Sequence, residues 1–176
     1  MNKKEFIEGM TILKSVFIDW QFDLNNPTMV RSWFAILEPL SPEEFSHLLQ
    51  VFCRTKVKPP TSPAEFFRMM AVEEEKRFIS PGEAFNKVLM LIREHGFVYG
   101  SAKIYAAIED NPALTKTVKE MESELRELVV GDEFVPERFR KAYRYNVAVI
   151  AEKRKDERLN AARKKLADQN QRRLTS

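Results

Sequence analysis

The chain is poor in the residues from which chemical sites are most often built. It holds one cysteine, Cys53, in 176 residues. A disulfide framework inside the chain is therefore excluded, and a reducing, cytoplasmic setting is expected. Cys53 closes the apolar stretch "HLLQVFC" and reads as a small buried hydrophobe rather than a reactive thiol. The two histidines, His47 and His95, fall on different predicted helices, with no second ligand at metal-binding spacing. The five glycines stand alone, at 9, 82, 96, 100 and 131. No G-x-x-x-x-G-K-[ST] or G-x-G-x-x-G run exists to bring backbone donors against a phosphate, so ATP hydrolysis through a P-loop is not expected. No stretch approaches the ~20 apolar residues of a membrane span. The start, "MNKKEFIEGM", leads into no apolar run and reads as no signal peptide. No cofactor and no metal are expected, and the chain reads as a non-enzymatic protein. Its carboxylate runs, such as "EEEK" at 73–76, have the look of a solvated helix face.

Proline is present, and it is ordered. Pro27, Pro42, Pro63, Pro81 and Pro112 each follow Asn or Ser. An Asn or Ser side-chain oxygen accepts from the orphan N–H groups of a helix start. Proline suits the next position, where no N–H is needed. Ser41–Glu44, Ser62–Glu65 and Ser80–Glu83 add the spacing of a capping box. Five helix starts are thus marked by mechanism.

Apolar spacing agrees with them. Phe6, Met10, Leu13, Phe17 and Trp20 form a stripe for a first helix. Helices are predicted from Pro27 to about 38, Pro42 to about 54, Pro63 to about 77 and Pro81 to His95, the last stopped by Gly96. A short helix follows from Ser101 to about 109, and another from Pro112 to about 129. "ELVV" is read as closing that helix before Gly131. From Pro136 the chain can stay helical almost to its end. The fold expected is all-α: a compact multi-helix N-terminal bundle over 1–78, a second, smaller helical segment over 79–135, and a basic C-terminal helix or partly disordered tail over 136–176. "KVKPPTSPAEF" has no glycine and restricts its own backbone, so it reads as a rigid corner within the bundle. "KRFISPGE" is the better place for a hinge.

Charge is uneven. Residues 137–176 hold 13 Lys and Arg against 5 Asp and Glu, whereas residues 1–136 hold 16 against 21. A faintly acidic body carries a basic end, which suits an anionic partner or a solvated helix. The candidate partner-binding residues are Arg138, Arg140, Lys141, Arg144, Tyr145, Lys153, Arg154, Lys155, Arg158, Arg163, Lys164 and Lys165. In "PERFRKAYRYN" the mixture of cations and aromatics also suits phosphate contact with base stacking. Phe139 and Tyr143, one helical turn apart, can instead dock on the core while the arginines stay in water. Beyond Ile150 only Leu159, Leu166 and Leu174 are large and apolar, so no heptad is sustained. That stretch reads either as a projecting helix or as one that orders on a partner.

Taken in order, "KKEFIEGMTIL", "VRSWFAIL", "FSHLLQVFCRT", "KPPTSPAEF", "EAFNKVLMLIREHGF" and "FRKAY" resemble the small bacteriophage replicative-helicase loader and inhibitor proteins. The likeness runs to about residue 150, with Phe85 where a tryptophan is expected. It implies a helical adaptor that works in the cytoplasm of a bacterial host. Its partners would be the hexameric replicative helicase, of phage or host, and a phage origin-binding initiator. It also implies that the segment after Pro136 engages the helicase. A phage nucleic-acid-binding protein with a basic arm, and a structural phage adaptor, remain as alternatives. Weak DNA contact through the basic end is compatible with the first two.

Overall fold

The computed structural model describes residues 1–128 and 134–174, and every described element is helical. In chain order these are α1 (Lys3–Val16), α2 (Pro27–Leu37), α3 (Pro42–Thr55), α4 (Ala64–Glu75), α5 (Pro81–His95), α6 (Phe97–Ile108), α7 (Pro112–Glu120), α8 (Glu122–Arg126) and α9 (Phe134–Leu174). The fold is all-α, as expected.

The helix starts follow the Asn/Ser–Pro logic closely. Asn26 accepts from the backbone N–H of Thr28 and Met29, and Asn111 from that of Leu114. Ser41 with Glu44 and Ser80 with Glu83 close full capping boxes. The fourth site differs. Glu65 accepts from the backbone N–H of Thr61 at 2.8 Å, and from its hydroxyl, so its carboxylate reaches Thr61 rather than Ser62, and the helix starts at Ala64 rather than Pro63. A further box, Asn2 with Glu5, starts α1 without a proline.

The chain divides into two compact units: Met1–Ala71 with Arg154–Ser176, and Val72–Lys153. The predicted stretch 136–176 is therefore divided, its first part belonging to one unit and its last part to the other.

The first unit is built on phenylalanine. Phe6 of α1 meets Phe34 of α2 at 5.5 Å between ring centroids and Phe45 of α3 at 6.2 Å. Phe66 of α4 lies 5.8 Å from Phe45 and 5.6 Å from Phe52. Ring pairs at these separations add to plain area burial. The proline corner thus sits inside this unit and delivers Phe66 to the centre of its core. Gly9 sets the approach of α1 to α3. A Cβ there would lie 2.5 Å from the Phe45 ring and 2.6 Å from Leu49, both buried. α1 ends at Val16, before the last two members of its predicted stripe. Phe17 and Trp20 nonetheless reach the core from the following turns, Phe17 against Phe52 at 5.9 Å.

The second unit buries Phe85, Val88, Phe97, Ile104, Ile108, Leu114, Val118, Met121, Leu125, Phe139, Tyr143 and Val147. Gly96, at φ 67°, both ends α5 and begins α6 at Phe97, four residues earlier than Ser101. A side chain is disfavoured in that backbone conformation. The helix expected from Pro112 changes direction at Met121, with φ −106° and ψ 18°. Its stripe of Leu114, Val118, Met121 and Leu125 is buried across both pieces. The last helix here ends at Arg126, so the described residues of "ELVV", Glu127 and Leu128, follow the helix rather than close it; Val129 and Val130 lie outside the described residues. Two polar ties hold α9 to α7. The Asn111 amide donates to the Tyr143 hydroxyl at 3.1 Å. Asn146, fully buried, donates to Thr117 Oγ1 at 3.0 Å and to Glu120 Oε2 at 2.7 Å. Burial pushes the Tyr143 phenol up, against the opposing pull of Asn111.

Three tests follow from this packing. Gly9→Ala raises helix propensity yet overpacks the Phe45–Leu49 contact, so a loss of about 1–3 kcal/mol is expected in urea denaturation. Asn146→Ala leaves Thr117 and Glu120 without their donor and is expected to destabilise by about 1–3 kcal/mol. The Ser80 side chain, then its backbone N–H, hold the Glu83 carboxyl below the usual range. The stability linked to that depression is present above the ordinary carboxylate pKa and is lost as pH falls through the lowered one. Ser80→Ala should therefore flatten the acid limb of a stability–pH curve.

Candidate functional site

The twelve candidate residues all lie on α9, six in each unit. In the second unit, Val135, Phe139, Tyr143, Asn146 and Val147 form the buried stripe. The docked reading of Phe139 and Tyr143 therefore holds, and Arg138, Lys141 and Arg144 stay exposed. Arg138 meets Glu124 at 3.0 Å and Arg140 meets Glu137 at 3.8 Å, which satisfies part of their charge locally. Lys141 and Arg144 have no carboxylate within ion-pair distance among the described residues. Tyr145, 67% exposed, lies one turn from Lys141 and next to Arg144. The three make a small basic and aromatic face. Lys153 is exposed at the end of this unit's share of α9.

In the first unit the arrangement is different. Leu159, 9% exposed, and Ala162, fully buried, pack into the body; Leu159 belongs to its phenylalanine core. Arg158 meets Glu44 at 2.6 Å and donates to Met70 Sδ at 3.2 Å. Lys165 meets Glu38 at 2.8 Å. At 100° per residue, Arg158, Ala162 and Lys165 share one face with Leu159 and Leu166 beside them. Lys155 lies on the same side, its side chain only 13% exposed and 3.3 Å from Asp156. The opposite face carries Asp156, Asn160, Arg163, Lys164 and Ala167, with two cations and one carboxylate in five positions. Arg163 and Lys164 are exposed, and Arg154 is exposed too.

The segment after Arg154 is thus a docked helix through Asp168, not a projecting or disordered one. The physical reason is a match the chain cannot show locally. One leucine and one alanine suffice as an anchor once a slot with acidic edges is present. The magnitudes are modest. Burying Leu159 contributes about 1.5–3 kcal/mol. Each ion pair, its members roughly a third to a half exposed, adds about 0–1 kcal/mol.

Cys53 is half-buried, and burial pushes its thiol up, away from the thiolate form. A cleft of about 350 Å³ opens in the first unit, walled by Trp20, Phe22, Met29, Trp33, Pro59 and Pro60. Asp19 is the one ionisable side chain in its lining, so no acid–base pair is assembled there. The sequence signal for it lies in the proline corner, in Trp20 of the first predicted stripe and in the tryptophan of "VRSWFAIL". Among the described residues no group of three or more His, Cys, Asp or Glu is placed to hold a metal ion. None of the described helices is long and apolar enough to cross a membrane.

No family model matches the chain, and no curated protein or solved structure matches it either.

Leu159→Ala removes the anchor of the docked segment. A loss of about 2–4 kcal/mol is expected for the first unit, read as an earlier transition in urea. A loss below about 0.5 kcal/mol would mean that the segment contributes little to that core.

Proposed function

We propose that the chain is a non-enzymatic adaptor of bacteriophage DNA replication. It binds the hexameric replicative helicase, holds it inactive, and helps to load it at an origin marked by the phage initiator. The support is the ordered set of motifs quoted above, together with an all-helical body whose cations are concentrated on one long helix. The observation that carries the reading furthest is α9 itself, a long helix with exposed cations that include Arg138, Lys141, Arg144, Arg163 and Lys164. The work is assigned to the cytoplasm of the bacterial host.

Such an adaptor needs no chemistry of its own. It shifts the helicase between conformations only by its differential affinity for them. Handover occurs when the initiator or DNA reverses that preference. A second reading is favoured by one specific feature, the exposed Lys141, Arg144 and Tyr145. Two cations with an adjacent exposed aromatic suit a nucleic-acid strand.

Deletion of residues 137–176 is a poor test, because it removes Phe139, Tyr143 and Leu159 from two cores. The full chain with Lys141→Gln, Arg144→Gln and Tyr145→Ala is preferable. Calorimetric titration against the hexameric helicase should show binding by the natural chain, weakened about fivefold to tenfold by the triple change. A chain that gives no heat with the helicase, yet retards single-stranded DNA with steep salt dependence, would establish the second reading instead.

A further inference from the structure

Of the six candidate cations in the first unit, Arg154, Arg163 and Lys164 point into water, and the other three lie on another side of the helix. Lys155, Arg158 and Lys165 lie on the side of α9 turned toward the unit's own body, with Leu159 and Ala162 between them. Glu44 is the counter-ion of Arg158 and Glu38 that of Lys165, 114 and 127 residues away in sequence. Met70 adds a sulfur contact to Arg158. What remains outward is close to neutral.

We propose that this docking is an autoinhibitory latch: the acid-edged slot of the first unit occupies the same basic amphipathic face that the helicase would take. The inference rests on the adaptor reading and adds two things to it. It names a masked part of the contact face, Lys155, Arg158, Leu159, Ala162 and Lys165, beside the exposed residues tested above. It also describes the receiving surface on the helicase, an apolar slot edged by carboxylates, since that surface must compete with the internal one.

The strength of the docking suits a latch. Both ion pairs are partly solvated, so salt screens them. The apolar anchor is a single leucine and a single alanine. A segment held this way opens at the cost of withdrawing Leu159 from the core, while the ring contacts among Phe6, Phe45, Phe52 and Phe66 stay made. The measured affinity for the helicase is then the intrinsic one reduced by the fraction of chains in the open state. Mutations on the slot side, which leave every residue of α9 untouched, should therefore tighten helicase binding.

The test uses the full chain with Glu38→Gln and Glu44→Gln. Glutamine at 44 still completes the capping box with Ser41, so α3 keeps its start. Trypsin cleavage between Lys153 and Lys165 reports latch opening, because a docked helix is cut only when it opens. The double variant should be cut about five to ten times faster than the natural chain, and its Kd for the hexameric helicase should fall by a similar factor. In the natural chain, raising NaCl from 0.05 to 0.5 M should speed cleavage in the same direction. Unchanged cleavage with helicase binding intact overturns the latch and leaves the adaptor reading standing. Faster cleavage with unchanged or weaker helicase affinity overturns the masking. Failure of both proteins to bind the helicase overturns the adaptor reading, and the masked helicase contact with it.

Discussion

The apolar stripe of α9 is the constraint on which both units depend. In one unit it supplies Val135, Phe139, Tyr143 and Val147; in the other it supplies Leu159 and Ala162. Each set fills a core that the earlier helices leave open. Phe139, fully buried, faces Phe85 at 5.3 Å, and Leu159 joins a cluster otherwise drawn from residues 1–70. The basic character of the chain's end is therefore carried by a structural element. Its cations are placed by what the same helix must bury.

That coupling explains the distribution of charge. In the second unit the buried stripe is wide and aromatic, so Lys141 and Arg144 can only point outward. In the first unit the stripe is one leucine and one alanine wide. Cations beside it sit near the body and find Glu38 and Glu44 there. The faintly acidic balance of residues 1–136 thus acts in part at a defined place. Partial exposure keeps both ion pairs weak, so the contact is specific in position without being strong.

Much of the fold was legible from local chemistry. Asn26, Ser41, Ser80 and Asn111 mark helix starts because a side-chain oxygen and a following proline act within one turn, and no distant contact is needed. The corner at Pro59 and Pro60 was legible for the same reason. Non-local features were not. Glu65 reaches Thr61 rather than Ser62 because two donors of Thr61 converge on it, which spacing does not reveal. The bend at Met121 is silent in the sequence because the apolar stripe continues through it. Gly96 serves as the end of one helix and the start of another, with no side-chain cap to announce α6. The twelve candidate residues were legible as basic and helical, but their division between an exposed face and a docked one was not. Alanine at 162 gives no sign that it is buried until the slot that receives it exists.

The central claim is that the stretch from Arg154 to Asp168 is part of the folded first unit in the free chain. Amide hydrogen exchange measured along α9 tests it most directly. Amides of residues 155–166 should be protected well beyond an isolated basic helix, and Leu159→Ala should remove that protection while Phe6, Phe45 and Phe66 keep theirs. Exchange of these amides at the rate of an unstructured peptide in the natural chain would contradict the account.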